Sequence, residues 1–156
     1  MIRPFRDSDL SWALGLNAEL EAELSPLSGE RLLVLVERAF LARVIGPDRA
    51  LLIAFDQDAD YDSPNFLWFR ARYPRFVYVD RIAVAAPARG SGLARTLYQD
   101  LFRAAGDAGH GEIVCEVNID PPNPASDAFH ASLGFAEVGR AELGNNKQVR
   151  YLRAAV

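Results

Sequence analysis

The sequence predicts an α/β fold of the α+β kind, a sheet flanked by helices, and three observations carry that expectation. Short apolar runs bounded by turn formers alternate with longer stretches whose apolar residues recur at three- and four-residue spacing. From Arg75 onward the order becomes regular: strand, helix, strand, helix, strand, strand, with Gly92, Gly134 and Gly144 at joints. Half of the 156 residues are hydrophobic and 24% are charged, which suits one globular domain spanning 1–156 with a buried core.

Ile2 to Arg6 reads as a first strand, and Ser8 as the N-cap of a short helix through about Leu16. Ser28 caps a longer helix whose stripe of Leu32, Leu33, Val36, Ala39 and Phe40 predicts that it continues to Gly46-Pro47. Ala50 to Phe55 is a short apolar run between turn formers, hence a buried strand. Between Asp56 and Pro74 an acidic tract, with Asp56, Asp58, Asp60 and Asp62 at alternate positions, runs into Phe66-Leu67-Trp68-Phe69, which suits strand or helix equally. Then follow a strand over 76–84, a turn at 88–92, a helix over 92–108 and a strand over 112–118. The 92–108 helix carries Leu93, Leu97 and Leu101 on one stripe beside Ala94, Tyr98, Phe102 and Ala105. A helix over 124–132 and strands over 136–143 and 148–154 complete the chain. Gly134 suits a left-handed cap, and Gly144-Asn145-Asn146 a turn between the last two strands.

Composition excludes several function classes. The net charge of −4 argues against nucleic acid, whose phosphates demand clustered Lys and Arg. No apolar run is long enough to span a membrane, and no basic segment followed by an apolar run opens the chain. Cys115 is the sole cysteine, so no internal disulfide forms; within Ile113-Val114-Cys115-Glu116-Val117 it reads as a small buried hydrophobe. These features suggest a cytoplasmic protein.

The chemistry-bearing segment is Arg89-Gly90-Ser91-Gly92-Leu93-Ala94, between a strand and a helix. Two glycines let successive N–H groups face one concavity, and the helix start adds positive potential, so the segment reads as an anion cradle, a plain strand-to-helix turn being the simpler alternative. No Lys follows Gly92 as a Walker loop requires, and Arg95 stands where a dinucleotide fingerprint needs Gly or Ala. The pattern Arg89-x-x-Gly92-x-Ala94 after Ile82-Ala83-Val84 resembles the pyrophosphate loop of the GNAT N-acetyltransferase superfamily. Asn123 through Phe135, ending Leu133-Gly134-Phe135, is similar to the segment that closes the coenzyme site there, and Ile2-Arg3-Pro4 with Asp7 and Asp9 extends the likeness to the N-terminus.

The resemblance implies a central mixed, mostly antiparallel sheet whose strands splay at the coenzyme site. It also implies that acetyl-CoA is the donor and that an amine attacks its thioester directly. Backbone groups of Arg89, Gly90, Ser91, Gly92, Leu93 and Ala94 would hold the pyrophosphate, with the Arg89 side chain adding charge. Ile82, Ala83 and Val84 would offer main-chain groups to the pantetheine arm, with Asn123, Ser126, Phe129 and His130 on its other side. A catalytically silent acyl-CoA-binding sensor or partner module is the alternative, because many members carry Tyr where His130 stands.

An ordinary lysine-like ammonium, with a pKa of about 10.4, needs roughly 4 kcal/mol to lose its proton near neutral pH. Asp80, expected to share a strand face with Tyr78 and Ile82, is the candidate base, an ion pair with Arg81 being the plainer role. His130 could protonate the departing thiolate, contact the coenzyme or face solvent; Tyr98 and Tyr151 are other candidates for the acid. Asp58, Asp60, Tyr61 and Tyr78 are expected to attract a cationic acceptor, a small amine, an amino-acid derivative or a protein N-terminus, unless the tract is only a solvated loop. Glu19, Glu21 and Glu23 form a second acidic cluster. No metal is expected: counted from Asp56, an EF-hand would need Gly where Tyr61 stands and Glu where Leu67 stands. Exposed strand edges near the C-terminus suit a homodimer.

Overall fold

The computed structural model describes residues 1–20, 24–144 and 146–156. Among them, seven strands form one sheet in the order β1 (Ile2–Pro4), β2 (Leu41–Ile45), β3 (Ala50–Asp56), β4 (Val77–Val84), β5 (Glu112–Asp120), β7 (Lys147–Ala155), β6 (Ala136–Leu143). All neighbours are antiparallel except β4 and β5, which run parallel. This is the mixed, mostly antiparallel sheet expected from the sequence.

Helices cover both faces. On one face α4 (Leu93–Asp107) lays Leu97, Leu101 and Ala105 over Leu52, Ala54, Val79 and Cys115, and α5 (Pro124–Ser132) adds Phe129. On the other, α1 (Leu10–Glu19), α2 (Gly29–Arg38) and α3 (Pro64–Arg70) pack Ala13, Leu32, Leu35, Phe66 and Phe69 against Ile53, Phe55, Tyr78 and Tyr151. Both faces of β3 are therefore buried, which explains its unbroken apolar run.

Several boundaries differ from the sequence expectation. The first strand stops at Pro4, and a 3-10 turn over Asp7–Asp9 leads into α1, which continues to Glu19. Asp9, rather than Ser8, organises that start: it takes two bonds from Arg3 at 2.8 Å, one from the Arg6 N–H at 2.8 Å and one from the Trp12 indole at 2.9 Å. The helix capped by Ser28 ends at Arg38, and Leu41 to Ile45 form a strand paired on both sides. The helical stripe through Ala39 and Phe40 is overridden because Ala39 turns extended and sheet pairing satisfies the backbone beyond it. The undecided aromatic segment is a helix, α3, capped by Ser63 and opened by Pro64. Gly134 is left-handed as expected, whereas Glu21, Glu23 and Asn145 lie outside the described residues.

Candidate active site

Two interruptions of regular pairing create the site. β4 and β5 pair only at Val77 with Ile113 and Tyr78 with Val114, after which the strands diverge. Opposite β3, Ala54 faces Val79 and Ile53 faces Arg81, so Asp80 is the extra residue of a β-bulge. The bulge reverses the alternation: Ile82 packs on the α4 face whereas Tyr78 packs on the other. Asp80 therefore does not share a face with both, contrary to the period-two expectation.

A cavity of about 470 Å³ opens where the strands part. It brings together Tyr61, Tyr78, Asp80, Ile82, Asn123, Ser126 and His130 from the sequence-predicted set. Asp58 and Asp60 lie outside its lining, as do Ala83, Val84, the cradle and Phe129. The acidic tract instead fastens loop to helix: Asp60 pairs with Arg38 at 3.7 Å, Asp62 pairs with Arg31 at 3.1 Å, and the Asp58 N–H bonds the Asp56 carboxylate at 2.9 Å.

Asp80 has both oxygens engaged, one by the Tyr61 hydroxyl at 2.5 Å and the other by Arg81 Nε at 2.9 Å. Burial raises its pKa while Arg81 and Tyr61 oppose the rise. Arg81 also reaches Asn17 at 2.7 Å and the Ser25 carbonyl at 2.9 Å, so the bulge is tied to α1 and to residues 24–27, which line one side of the cavity.

Glu116, from β5 just past the fork, was not singled out from the sequence. Tyr78 donates to its two oxygens at 2.9 and 2.8 Å, and Asn65 of α3 donates at 2.9 Å. No cation pairs with it among the described residues, and burial pushes its pKa up to about 7. The signal was available: Val114 and Glu116 lie two apart in an apolar strand, so a carboxylate occupies a position that alternation marks as interior.

His130 is only 5% exposed, and burial lowers its pKa, so the ring is neutral near pH 7. Nδ1 lies 2.8 Å from the Ser126 carbonyl, which can only accept, so Nδ1 carries the proton and Nε2 accepts from the Tyr98 hydroxyl at 2.8 Å. Burial raises the Tyr98 phenol well above its ordinary value, with the Cys115 thiol alongside.

Away from the fork lies the segment Arg89 to Ala94, which leads into α4. Gly90 and Gly92 both hold φ near +80°, a conformation that favours glycine. The helix ladder begins with the Thr96 N–H to Gly92 at 3.0 Å, which leaves the preceding N–H groups of the first turn for a ligand. Arg95 bonds Ser132 at 2.8 Å and lies over the Phe129 ring, tying the start of α4 to α5.

A family model described as the acetyltransferase (GNAT) family matches residues 52–135. The chain belongs to the GNAT acetyltransferase family. Its fold is shared by solved structures along nearly the whole chain. The Escherichia coli ribosomal-protein-S18-alanine N-acetyltransferase is 18% identical, with 100% of this chain and 93% of that one covered and a TM-score of 0.72. Chaetomium thermophilum Naa20, solved with a bisubstrate analogue, is also 18% identical, with 100% and 86% covered and a TM-score of 0.78. The Salmonella typhimurium protein yncA, solved with its cofactor acetyl-CoA, is 17% identical, with 99% and 92% covered and a TM-score of 0.73. A search of curated proteins found no significant match. GNAT membership supports an acyltransferase, and among the described residues no helix is long and apolar enough to cross a membrane.

Proposed function

We propose that this GNAT protein transfers an acetyl group from acetyl-CoA to a primary amine by direct attack, with Glu116 as the general base. The observation that carries the proposal is a carboxylate without an ion-pair partner, raised to about 7, lining the cavity at the point where β4 and β5 part. A base of that strength is half ionised near neutral pH, where it can accept a proton and still release it.

The chain's groups fit the coenzyme. First-turn N–H groups of α4 and the left-handed Gly90 and Gly92 suit a pyrophosphate. Beyond Tyr78, β4 has no strand partner on its β5 side, so its backbone is available to an extended arm as an added strand would use it. Acetyl-CoA, when bound, supplies the acyl thioester. Glu116 takes the proton from the ammonium, while Tyr78 and Asn65 hold its carboxylate in place and leave acceptor positions open to the cavity. Asp80 acts through Tyr61 and Arg81, shaping the acceptor wall, since its ion pair with the Arg81 guanidinium opposes its taking up a proton. Neutral His130 orients the Tyr98 hydroxyl; neither group is acidic enough to protonate a thiolate outright, so the pair contributes by position.

Thiol release from acetyl-CoA across a panel of primary amines tests the proposal. Turnover on at least one amine is expected. Thermal stabilisation by acetyl-CoA with no thiol release from any amine would assign coenzyme sensing instead.

A further inference from the structure

We infer that the acceptor amine carries an anionic group, and that Lys147 receives it. The inference rests on the acetyl-transfer function proposed above and names the substrate class of that site.

The charges lining the cavity cancel in pairs, with two exceptions. Asp62 is answered by Arg31 at 3.1 Å, and Asp80 by Arg81 at 2.9 Å. Glu116 remains, held by neutral donors beside the fork. Lys147 also remains. It is the only lysine in the sequence, it lines the same cavity from the first residue of β7, and its side chain makes no ion pair or hydrogen bond among the described residues. It stands two residues before Val149 and four before Tyr151, both of which pack on the α1–α3 face, so Lys147 belongs to the acceptor side of the sheet.

The cavity thus offers a proton acceptor to one end of a ligand and a fixed cation to the other. A ligand that carries a carboxylate as well as an amine satisfies both. A second ammonium on the acceptor would instead be repelled by the like charge of Lys147, and Arg31 in the same lining is already paired. This reverses the polarity expected from the acidic tract, because Asp56, Asp58 and Asp60 lie outside the cavity lining and Asp62, which lines it, is paired with Arg31. A lysine suits the role, as its ammonium is a point charge on a flexible stem that can follow an anion presented at different positions.

Two sources offer this chemistry: a free amino acid, and a peptide N-terminus followed by an acidic residue. The test compares kcat/KM for two matched pairs, alanine against alaninamide, and a short peptide amide with aspartate in second position against its asparagine counterpart. Each pair is measured with the wild type, Lys147→Ala, Lys147→Glu and Lys147→Arg. Comparing each ratio between proteins cancels differences in amine basicity. In at least one pair, the wild type and Lys147→Arg should favour the carboxylate-bearing member by roughly five- to tenfold, the range of one partly desolvated ion pair. That preference should disappear in Lys147→Ala, invert in Lys147→Glu and shrink at high salt. The responding pair identifies the source, and ratios that do not depend on residue 147 in either pair overturn the inference. If no amine turns over, the acetyl-transfer function fails by itself. Calorimetric binding of the same four compounds to the CoA-loaded protein then decides the charge inference: tighter binding of the carboxylate-bearing members that requires Lys147 upholds it, and equal binding overturns it.

Discussion

Burial gives Glu116 its chemistry, and the same burial has a cost in stability. Its pKa is raised to about 7 by desolvation, against the hydrogen bonds from Tyr78 and Asn65 that favour the ionised form. A raised carboxyl contributes fully to stability below its unfolded pKa, and that contribution is lost as pH rises through the folded value. Glu116→Gln should therefore match the wild-type melting temperature near pH 4 and exceed it above pH 8, as read by thermal unfolding across pH. The same substitution should lower kcat/KM by about a hundredfold or more and remove the rise in rate with pH centred near 7. A retained ascending limb would transfer the base role to another group. His130 and Tyr98 form one unit through their 2.8 Å bond. His130→Ala and Tyr98→Phe should thus each reduce kcat, and the double variant should be little worse than either single one. Additive losses would show that the two side chains act separately.

Helix α3 shows where sequence reasoning stopped and why. Phe66, Trp68 and Phe69 suit strand or helix by propensity, and only tertiary contacts decide between them. Trp68 stacks on Tyr151 at 4.1 Å, and Phe66 and Phe69 bury fully against Phe76 and Tyr78. The Trp68 ring fits only because residue 139 is glycine: a Cβ there would lie 2.4 Å from it. That long-range fit orients the first turn of the helix, where Asn65 accepts from Tyr151 at 2.8 Å and donates to Glu116 at 2.9 Å. By contrast, the cradle and the order of elements from β4 to β7 were legible, because left-handed glycines and apolar periodicity are local signals. Asp80 and Ile82 were placed on one face because a bulge leaves no trace in period-two alternation. Asn65→Ala removes a bond that lowers the Glu116 pKa, so the ascending limb of the rate profile should move to higher pH and kcat at pH 7 should fall. A limb that stays in place would reduce α3 to a packing element.

Across the whole molecule the sheet separates the two tasks that the proposed function assigns. The α4–α5 face carries the cradle, His130 and Tyr98, whereas the α1–α3 face carries Glu116, Asn65, Asp80 and Lys147, and the two meet only where β4 and β5 diverge after Tyr78 and Val114. Donor binding and proton removal should therefore respond to different substitutions. Gly92 caps α4 in the left-handed region with open space around a hypothetical Cβ, so Gly92→Ala meets backbone strain and no clash. The strain is about 1–2 kcal/mol, enough to weaken acetyl-CoA binding by roughly tenfold if the loop relaxes away from its cradle form. With saturating acetyl-CoA, kcat and its dependence on pH near 7 should remain close to wild type, because no group contacting Glu116 has moved. Titration calorimetry with acetyl-CoA, set beside the pH profile of kcat, checks both halves: a cradle substitution that shifts the pH profile would show that the two faces are energetically coupled through the fork.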